Sequence, residues 1–164
     1  MTRTRERQDL IETLDKHRGF LHYTARDLTD AQASQRTTAS SLTIAGLIKH
    51  VAATEHAWMQ FALGGAPAMA ASVGDYENQF TLLPGETLAG VLERYTEVAR
   101  STTEIVDHAP DLDADHPLPE APWFEPGARW SVRRVLLHVI AETAQHAGHA
   151  DIIRESLDGA KTMG

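Results

Sequence analysis

Four stretches of the chain place apolar residues at steps of three and four, the spacing that lines one face of an α-helix. These predicted helices span about residues 5–28, 43–64, 86–108 and 131–159. Almost no segment shows the apolar and polar alternation of a half-buried strand. Each amphipathic helix must bury its apolar face against others. The pattern therefore predicts an all-α fold, a four-helix bundle with long connections after the second and third helices.

Local residue choices mark several helix boundaries. Ser40 or Ser41 is placed to cap the second helix and Ser131 to cap the fourth, because a serine hydroxyl can accept a hydrogen bond from a free amide of the first turn. The segment 62–75, ALGGAPAMAASVGD, is rich in Gly, Ala and Pro and predicts a loop. Stop signals follow the last three helices, namely the pair Gly64 and Gly65, then Pro110, then Gly159.

The length of 164 residues suits one domain, and we expect a single domain spanning 1–164. Apolar residues make up 42% and charged residues 23% of the chain, as in soluble globular proteins, and no apolar run approaches the roughly 20 residues that cross a bilayer. The first residues are charged on both sides of a few apolar ones and lack the apolar core of a signal peptide. We therefore expect a cytoplasmic protein with no membrane partner.

Charge and cysteine content exclude some partners and some chemistry. Lys and Arg number 15 against 23 Asp and Glu, and the net charge of −8 repels phosphate backbones, so nucleic acid is not an expected partner. The chain has no cysteine, which excludes disulfides, thiolate metal ligands and a thiol nucleophile from the protein itself. Any sulfur chemistry must therefore use a small-molecule thiol.

The fourth predicted helix contains the stretch HVIAETAQHAGHAD, in which ionisable groups interrupt an apolar face. One row of residues along this helix is apolar at both ends but has a glutamate and two histidines in the middle, where a bundle normally buries apolar side chains. Desolvating an unpaired carboxylate costs several kcal/mol, so a compensating partner is required, and a divalent metal ion would serve. In steps of three and four, the row runs Val132, Val135, Val139, Glu142, His146, His149 and Ile153.

Glu142 and His146 lie four residues apart, so their side chains share a helix face and can ligate one ion together. A third ligand must come from a facing helix, and His50 of the second helix is the candidate. Two histidines and one carboxylate leave coordination positions open, as in a catalytic metal site. Zinc is the default metal, and nickel, manganese and iron(II) also suit this ligand set. Small residues near His50 predict room for an ion and for a bound molecule: Gly46, Ala53 and Ala57.

A metal-free reading of the same residues stays open. Glu142 can pair with protonated His146 in a buried polar network. It can equally pair with Arg133 or Arg134, from an earlier turn or from a neighbouring chain. His138 also lies four residues from Glu142, but the span from 138 to 146 is about 12 Å and cannot close on one ion. A structural role is therefore expected for His138.

His149 lies close enough to His146 to be a fourth ligand, to orient His146, or to shuttle a proton. The tryptophans are expected to anchor the core or the loops, and Trp123 with Phe124 could also cover a pocket. The remaining histidines are expected at the surface or in packing contacts: His17, His22, His56, His108 and His116.

Two separated motifs, SSLTIAGLIKHVAATEHAWMQFALGG and WSVRRVLLHVIAETAQHAGHADIIRESLDG, resemble the DinB/YfiT-like superfamily. The resemblance covers nearly the whole chain, and it points to an actinobacterial branch close to the N-terminal domains of mycothiol-dependent maleylpyruvate isomerases. It implies a four-helix bundle with a metal held by one histidine of the second helix and by two ligands one turn apart in the last helix. By this resemblance the ligands are His50, Glu142 and His146.

The resemblance implies a metal-dependent enzyme, and it favours an S-transferase that joins a low-molecular-weight thiol such as mycothiol to a small electrophile. Two other functions stay open: a metal-dependent hydrolase of a small substrate, and a metal-binding stress-response protein without turnover. A homodimer is expected, because relatives often dimerise through bundle helices. An apolar flank of the fourth helix could pack internally or serve that partner: Leu136, Ile140 and Ala147.

Overall fold

The computed structural model describes residues 4–75 and 77–162, and within these ranges the chain forms five helices and a two-stranded sheet. Four long helices build the bundle and one helix is a single turn, so the predicted all-α four-helix fold is confirmed. No helix in the described ranges is long and apolar enough to span a bilayer. The elements are α1 (Arg5–Thr24), α2 (Asp30–Ala33), α3 (Ile44–Ser72), α4 (Leu88–His108), β1 (Asp115–Pro117), β2 (Arg129–Ser131) and α5 (Val132–Asp158).

The bundle buries its apolar residues in two clusters. One cluster surrounds Leu21, Ile48 and Tyr95, and the other surrounds Leu14 and Phe61. α1 packs against α5, while α3 packs against both α4 and α5. Because α3 touches all of the other helices, its rotation about its own axis decides which of its residues face α5.

Hydroxyl groups cap the long helices. Ser131 accepts a hydrogen bond from an amide in the first turn of α5 (3.2 Å), so the predicted start of that helix is confirmed. The predicted cap of α3 is wrong, because neither Ser40 nor Ser41 fills that position. Thr43, the residue directly before the helix, accepts instead from the amide of Gly46 at 3.1 Å.

The predicted stop at Gly64 and Gly65 is a kink rather than an end. Both residues leave helical geometry, with Gly65 at a φ of +71°, but the chain then resumes a helical path as far as Ser72. Alanines at 66, 68, 70 and 71 are strong helix formers. Pro67 lies in the first turn after the kink, where a missing amide costs no hydrogen bond. Most of the predicted loop 62–75 is therefore helical.

Two other connections differ from the prediction. α1 ends at Thr24, one turn before residue 28, and Asp27 adopts a φ of 58°, which takes the chain out of the helical path. The connection between α4 and α5 contains an antiparallel pair of strands, with Asp115 opposite Ser131. Each strand has only three residues, which is too short for an alternating pattern to be recognised.

The apolar flank of α5 that was considered for a partner packs inside the molecule. Leu136 and Ala147 are buried, and Ile140 packs against a core cluster. These residues therefore provide no surface for a second copy. The homodimer stays a prediction that this flank does not support.

A buried ion pair joins α1 to α3. The Arg18 guanidinium donates to both carboxylate oxygens of Glu55, with an Nε to Oε2 distance of 3.1 Å. Thr102 of α4 donates its hydroxyl to the same carboxylate at 2.5 Å. Burial lowers the pKa of Arg18, but the attraction of Glu55 outweighs that effect and holds the pKa above its ordinary value. Helical periodicity did not indicate this pair, which links three helices through one carboxylate.

Replacing Glu55 with leucine should lower the free energy of unfolding by about 3 kcal/mol, because the buried Arg18 guanidinium would keep only its ion pair with the exposed Asp15. Urea unfolding followed by circular dichroism measures the loss. The double variant Arg18→Met, Glu55→Leu should recover most of it, because no charge then remains buried. Asp9→Asn removes only the exposed pair with Arg5 and is the control. A double variant no more stable than Glu55→Leu would assign the loss to packing instead.

Candidate metal centre

The buried stripe of α5 lies one row away from the predicted one. Thr143, Ala147 and Ala150 occupy the core positions between the flanking valines and isoleucine. Glu142 and His146 lie beside this stripe, where the side chain of Glu142 is 29% exposed and that of His146 is 13% exposed. The predicted placement of these groups in the middle of the buried face is therefore wrong. A helix of 3.6 residues per turn allows two adjacent rows at steps of three and four, and the sequence does not choose between them.

Three side chains from two helices nevertheless converge on one point. One donor atom from each of His50, Glu142 and His146 lies within 4.8 Å of the other two. Oε2 of Glu142 lies 3.5 Å from Nε2 of His146. The rings of His50 and His146 meet nearly at right angles, with centroids 5.0 Å apart. The packing of α3 on α5 thus brings together the three residues that spacing and resemblance had grouped.

Burial sets the protonation of the two imidazoles. Burial lowers the pKa of His50 below the ordinary value of a histidine. Burial, and then the neighbouring His50, also lower the pKa of His146. A lowered pKa favours the neutral ring, which has a lone pair on one nitrogen and is the form that ligates a metal. The arrangement can therefore offer two imidazole nitrogens and one carboxylate oxygen to a cation.

The connection between α3 and α4 lies over His50 and fixes its ring. Oε1 of Gln79 lies 2.8 Å from Nδ1 of His50, and the Phe80 ring stacks on the imidazole with centroids 4.0 Å apart. A carbonyl oxygen can only accept, so Nδ1 of His50 carries the hydrogen and Nε2 holds the lone pair. The sequence pattern does not indicate Gln79, because nothing in its spacing links it to a residue 29 positions earlier.

Gly46 allows this connection to pass close to α3. A Cβ at Gly46 would lie 2.0 Å from the carbonyl oxygen of Phe80, a distance that no side chain can accept. The small residue at 46 therefore makes room for backbone and not, as predicted, for an ion. Ala53 and Ala57 lie further along α3 and line a cavity.

His149 and His138 flank the cluster on either side along α5. Nδ1 of His149 lies 3.3 Å from Nδ1 of His146, so one of the two rings donates to the other. Nε2 of His138 lies 4.0 Å from Glu142, and its ring packs against Trp58 and Trp130. The packing contacts of His138 agree with the structural role expected for it.

The arginines considered as partners of Glu142 have other contacts. Arg133 forms ion pairs with Glu6 and Asp113, and Arg134 lies over the ring of Trp130 at 4.6 Å from its centroid. Both side chains are thus engaged elsewhere. The neighbours of Glu142 are His138 and His146, one turn away on either side, and His50 of α3.

The family match and the fold together confirm the DinB/YfiT-like resemblance seen in the motifs. Residues 9–159 match the family described as mycothiol-S-transferase, and the chain belongs to this family. Its fold is similar to that of a conserved protein from Enterococcus faecalis solved by crystallography, with a TM-score of 0.67 and 16% identity over 93% of this chain and 97% of that one. No curated protein gives a significant match.

The hydrogen bond from His50 to Gln79 makes a prediction that needs no metal. In metal-free protein at pH 7.5, nitrogen NMR of His50 should show the neutral tautomer with hydrogen on Nδ1, because Oε1 of Gln79 accepts that hydrogen. Gln79→Leu should reduce the preference for this tautomer, whereas Gln79→Glu should retain it. Gln145→Leu on the exposed side of α5 is the control. A wild-type ring with its hydrogen on Nε2 would contradict the geometry.

Proposed function

We propose that this chain is a divalent-metal-dependent S-transferase that joins mycothiol, or a closely related low-molecular-weight thiol, to a small electrophile. The observation that carries the proposal is the convergence of His50, Glu142 and His146 in a member of the mycothiol-S-transferase family. The absence of cysteine agrees with it, because the sulfur must then come from outside the protein.

The chemistry of the donor set fits a divalent metal. Two imidazoles and one carboxylate are the ligands of many catalytic zinc sites, and they leave a further position open. Two donors that share a zinc ion at ordinary bond lengths lie about 3.3 Å apart, so donor atoms within 4.8 Å need only small side-chain rotations. Zinc is the metal we propose, and nickel, manganese and iron(II) are the alternatives that the same ligands suit.

A bound divalent cation would lower the pKa of a coordinating thiol, so that the thiolate needed for attack exists at neutral pH. The residues of the chain prepare that position. Glu142 supplies a negative charge beside two neutral rings, and Gln79 holds the ring of His50 with its lone pair on Nε2. The reaction forms one bond between sulfur and carbon and releases the leaving group of the electrophile, while the thiol proton passes to solvent.

His149 acts in this proposal as a positioning residue for His146. If His146 offers Nε2, the atom 3.5 Å from Glu142, its Nδ1 carries the hydrogen and donates to Nδ1 of His149. The Nδ1 of His149 is then occupied by the hydrogen bond from His146, so we assign this ring to orientation rather than to proton transfer or direct ligation.

The first test is the metal content and thiol-transfer activity of protein purified without added metal. Elemental analysis should find close to one divalent ion per chain. Mass spectrometry should detect the thioether that mycothiol forms with monochlorobimane. His50→Ala and Glu142→Gln should weaken metal affinity by more than about a hundredfold, because each removes a ligand, and should abolish transfer. His108→Ala, at an exposed position of α4, is the matched control and should change neither.

Each other outcome of this test leads to a definite conclusion. Turnover of a small substrate that depends on metal but not on thiol would identify a hydrolase. Strong thermal stabilisation by metal without turnover of any electrophile would identify a metal-binding protein without catalysis. Equal and negligible metal binding by wild type and both variants would refute the metal centre itself.

A further inference from the structure

A cavity of about 680 Å³ lies between α3, α4 and the connection that joins them. Its volume falls within the range of small-molecule binding sites. Small residues of α3 and α4 form part of its wall, among them Ala53, Ala57 and Gly90, together with larger apolar side chains such as Trp58 and Met69. The wall is therefore mainly apolar and offers space for a flat or slender apolar group.

The cavity adjoins the candidate metal centre at His50. Gln79 and Thr54 both line the cavity, and both contact the imidazole of His50. Gln79 lies at Nδ1, whereas the hydroxyl of Thr54 lies 3.5 Å from Nε2, the nitrogen that retains its lone pair. The imidazole of His50 is not itself part of the cavity wall, so these two side chains form the link between the cavity and the candidate metal centre.

The two acidic residues at the cavity wall already have partners. Asp75 accepts from the side-chain amide of Asn78 at 2.7 Å. Glu86 forms an ion pair with Lys49 at 2.7 Å and also accepts from the amide of Leu83 at 2.7 Å. The charge of Glu86 is therefore compensated by Lys49, and both carboxylates have hydrogen-bond partners.

An arginine of α4 also lines the cavity. Arg94 of α4 makes one long ion pair, 3.7 Å to Glu97, and its side chain is 59% exposed. His56 of α3 lies near it, and burial and then the charge of Arg94 lower the pKa of His56. In a chain with a net charge of −8, an incompletely compensated arginine at the wall of an apolar cavity favours an anionic ligand group.

We propose that this cavity binds the electrophilic substrate and that the substrate is a small amphipathic carboxylate, with its apolar body on the alanine wall, its carboxylate at Arg94 and its reactive carbon towards His50. This inference rests on the proposed thiol transfer. The volume of the cavity suits a substituted aromatic acid or a short acyl chain.

The test compares two electrophiles that differ only in charge, 4-(chloromethyl)benzoate and 4-(chloromethyl)benzamide, with mycothiol as the thiol. In both reactions a sulfur to carbon bond forms, the carbon to chlorine bond breaks with release of chloride, and the thiol proton passes to solvent. Arg94→Gln should raise the KM of the benzoate about tenfold and leave that of the benzamide unchanged. Arg100→Gln, on the same helix but outside the cavity, should change neither.

A second variant tests the location. Ala53 is exposed to the cavity, so Ala53→Phe should fill it, weaken both electrophiles and leave the circular dichroism spectrum and the metal content unchanged. Equilibrium binding of the unreactive analogue 4-methylbenzoate, followed by NMR, gives a readout that does not depend on turnover. Its affinity should fall about tenfold in Arg94→Gln and further in Ala53→Phe.

The outcomes separate this inference from the proposed function. Thiol transfer without preference for the benzoate, or 4-methylbenzoate binding that both variants retain, would overturn the cavity assignment while the S-transferase stands. Binding of 4-methylbenzoate that both variants lose, in a protein without thiol-dependent turnover, would support the carboxylate site and reject the transferase. Failure of the wild type to bind 4-methylbenzoate at all would overturn the inference.

Discussion

The orientation of α3 depends on the buried ion pair between Arg18 and Glu55. One face of α3 is held by this pair to α1, and through Thr102 to α4. His50 lies five residues before Glu55, which places it well around the helix from that contact and towards α5. Replacement of a buried ion pair by apolar residues is often neutral for stability, so we infer that the pair between Arg18 and Glu55 serves mainly to fix the rotation of α3. A carboxylate that accepts from two helices is satisfied in only one rotation of the helix that carries it.

The connection between α3 and α4 contacts His50 and completes the candidate site. Close passage of the backbone at Phe80 requires glycine at position 46, and the same passage places Gln79 against His50. A larger residue at 46 would move the connection outward and remove both the hydrogen bond to Nδ1 and the stacked ring. The candidate centre therefore depends on the three donor residues and also on the close backbone contact between Gly46 and Phe80.

Periodicity predicted the long helices because each must bury one apolar face, and Ser131 and Gly159 marked the ends of α5 correctly. It failed where a local signal had two structural outcomes. The Gly64 and Gly65 pair breaks the helix in either case, and only the packing of the following alanine-rich segment decides whether a second helical section forms. The cap of α3 failed for a similar reason, because Thr43 satisfies the same geometric requirement as Ser40 or Ser41 and stands directly before the helix.

The side chains of His50, Glu142 and His146 converge, although part of the argument that grouped them was wrong. Glu142 does not stand in the buried stripe, so the cost of desolvating it cannot be the reason for a metal. What holds instead is the arrangement of protons: Gln79 accepts from His50 at Nδ1, and the contact between His146 and His149 allows the equivalent arrangement on α5. Because burial lowers the pKa of both rings and so favours their neutral forms, the chain can present two lone pairs and a carboxylate towards one point. The orientation of these donors is thus determined by folding, so a cation that binds there loses little free energy to reorganisation of the protein.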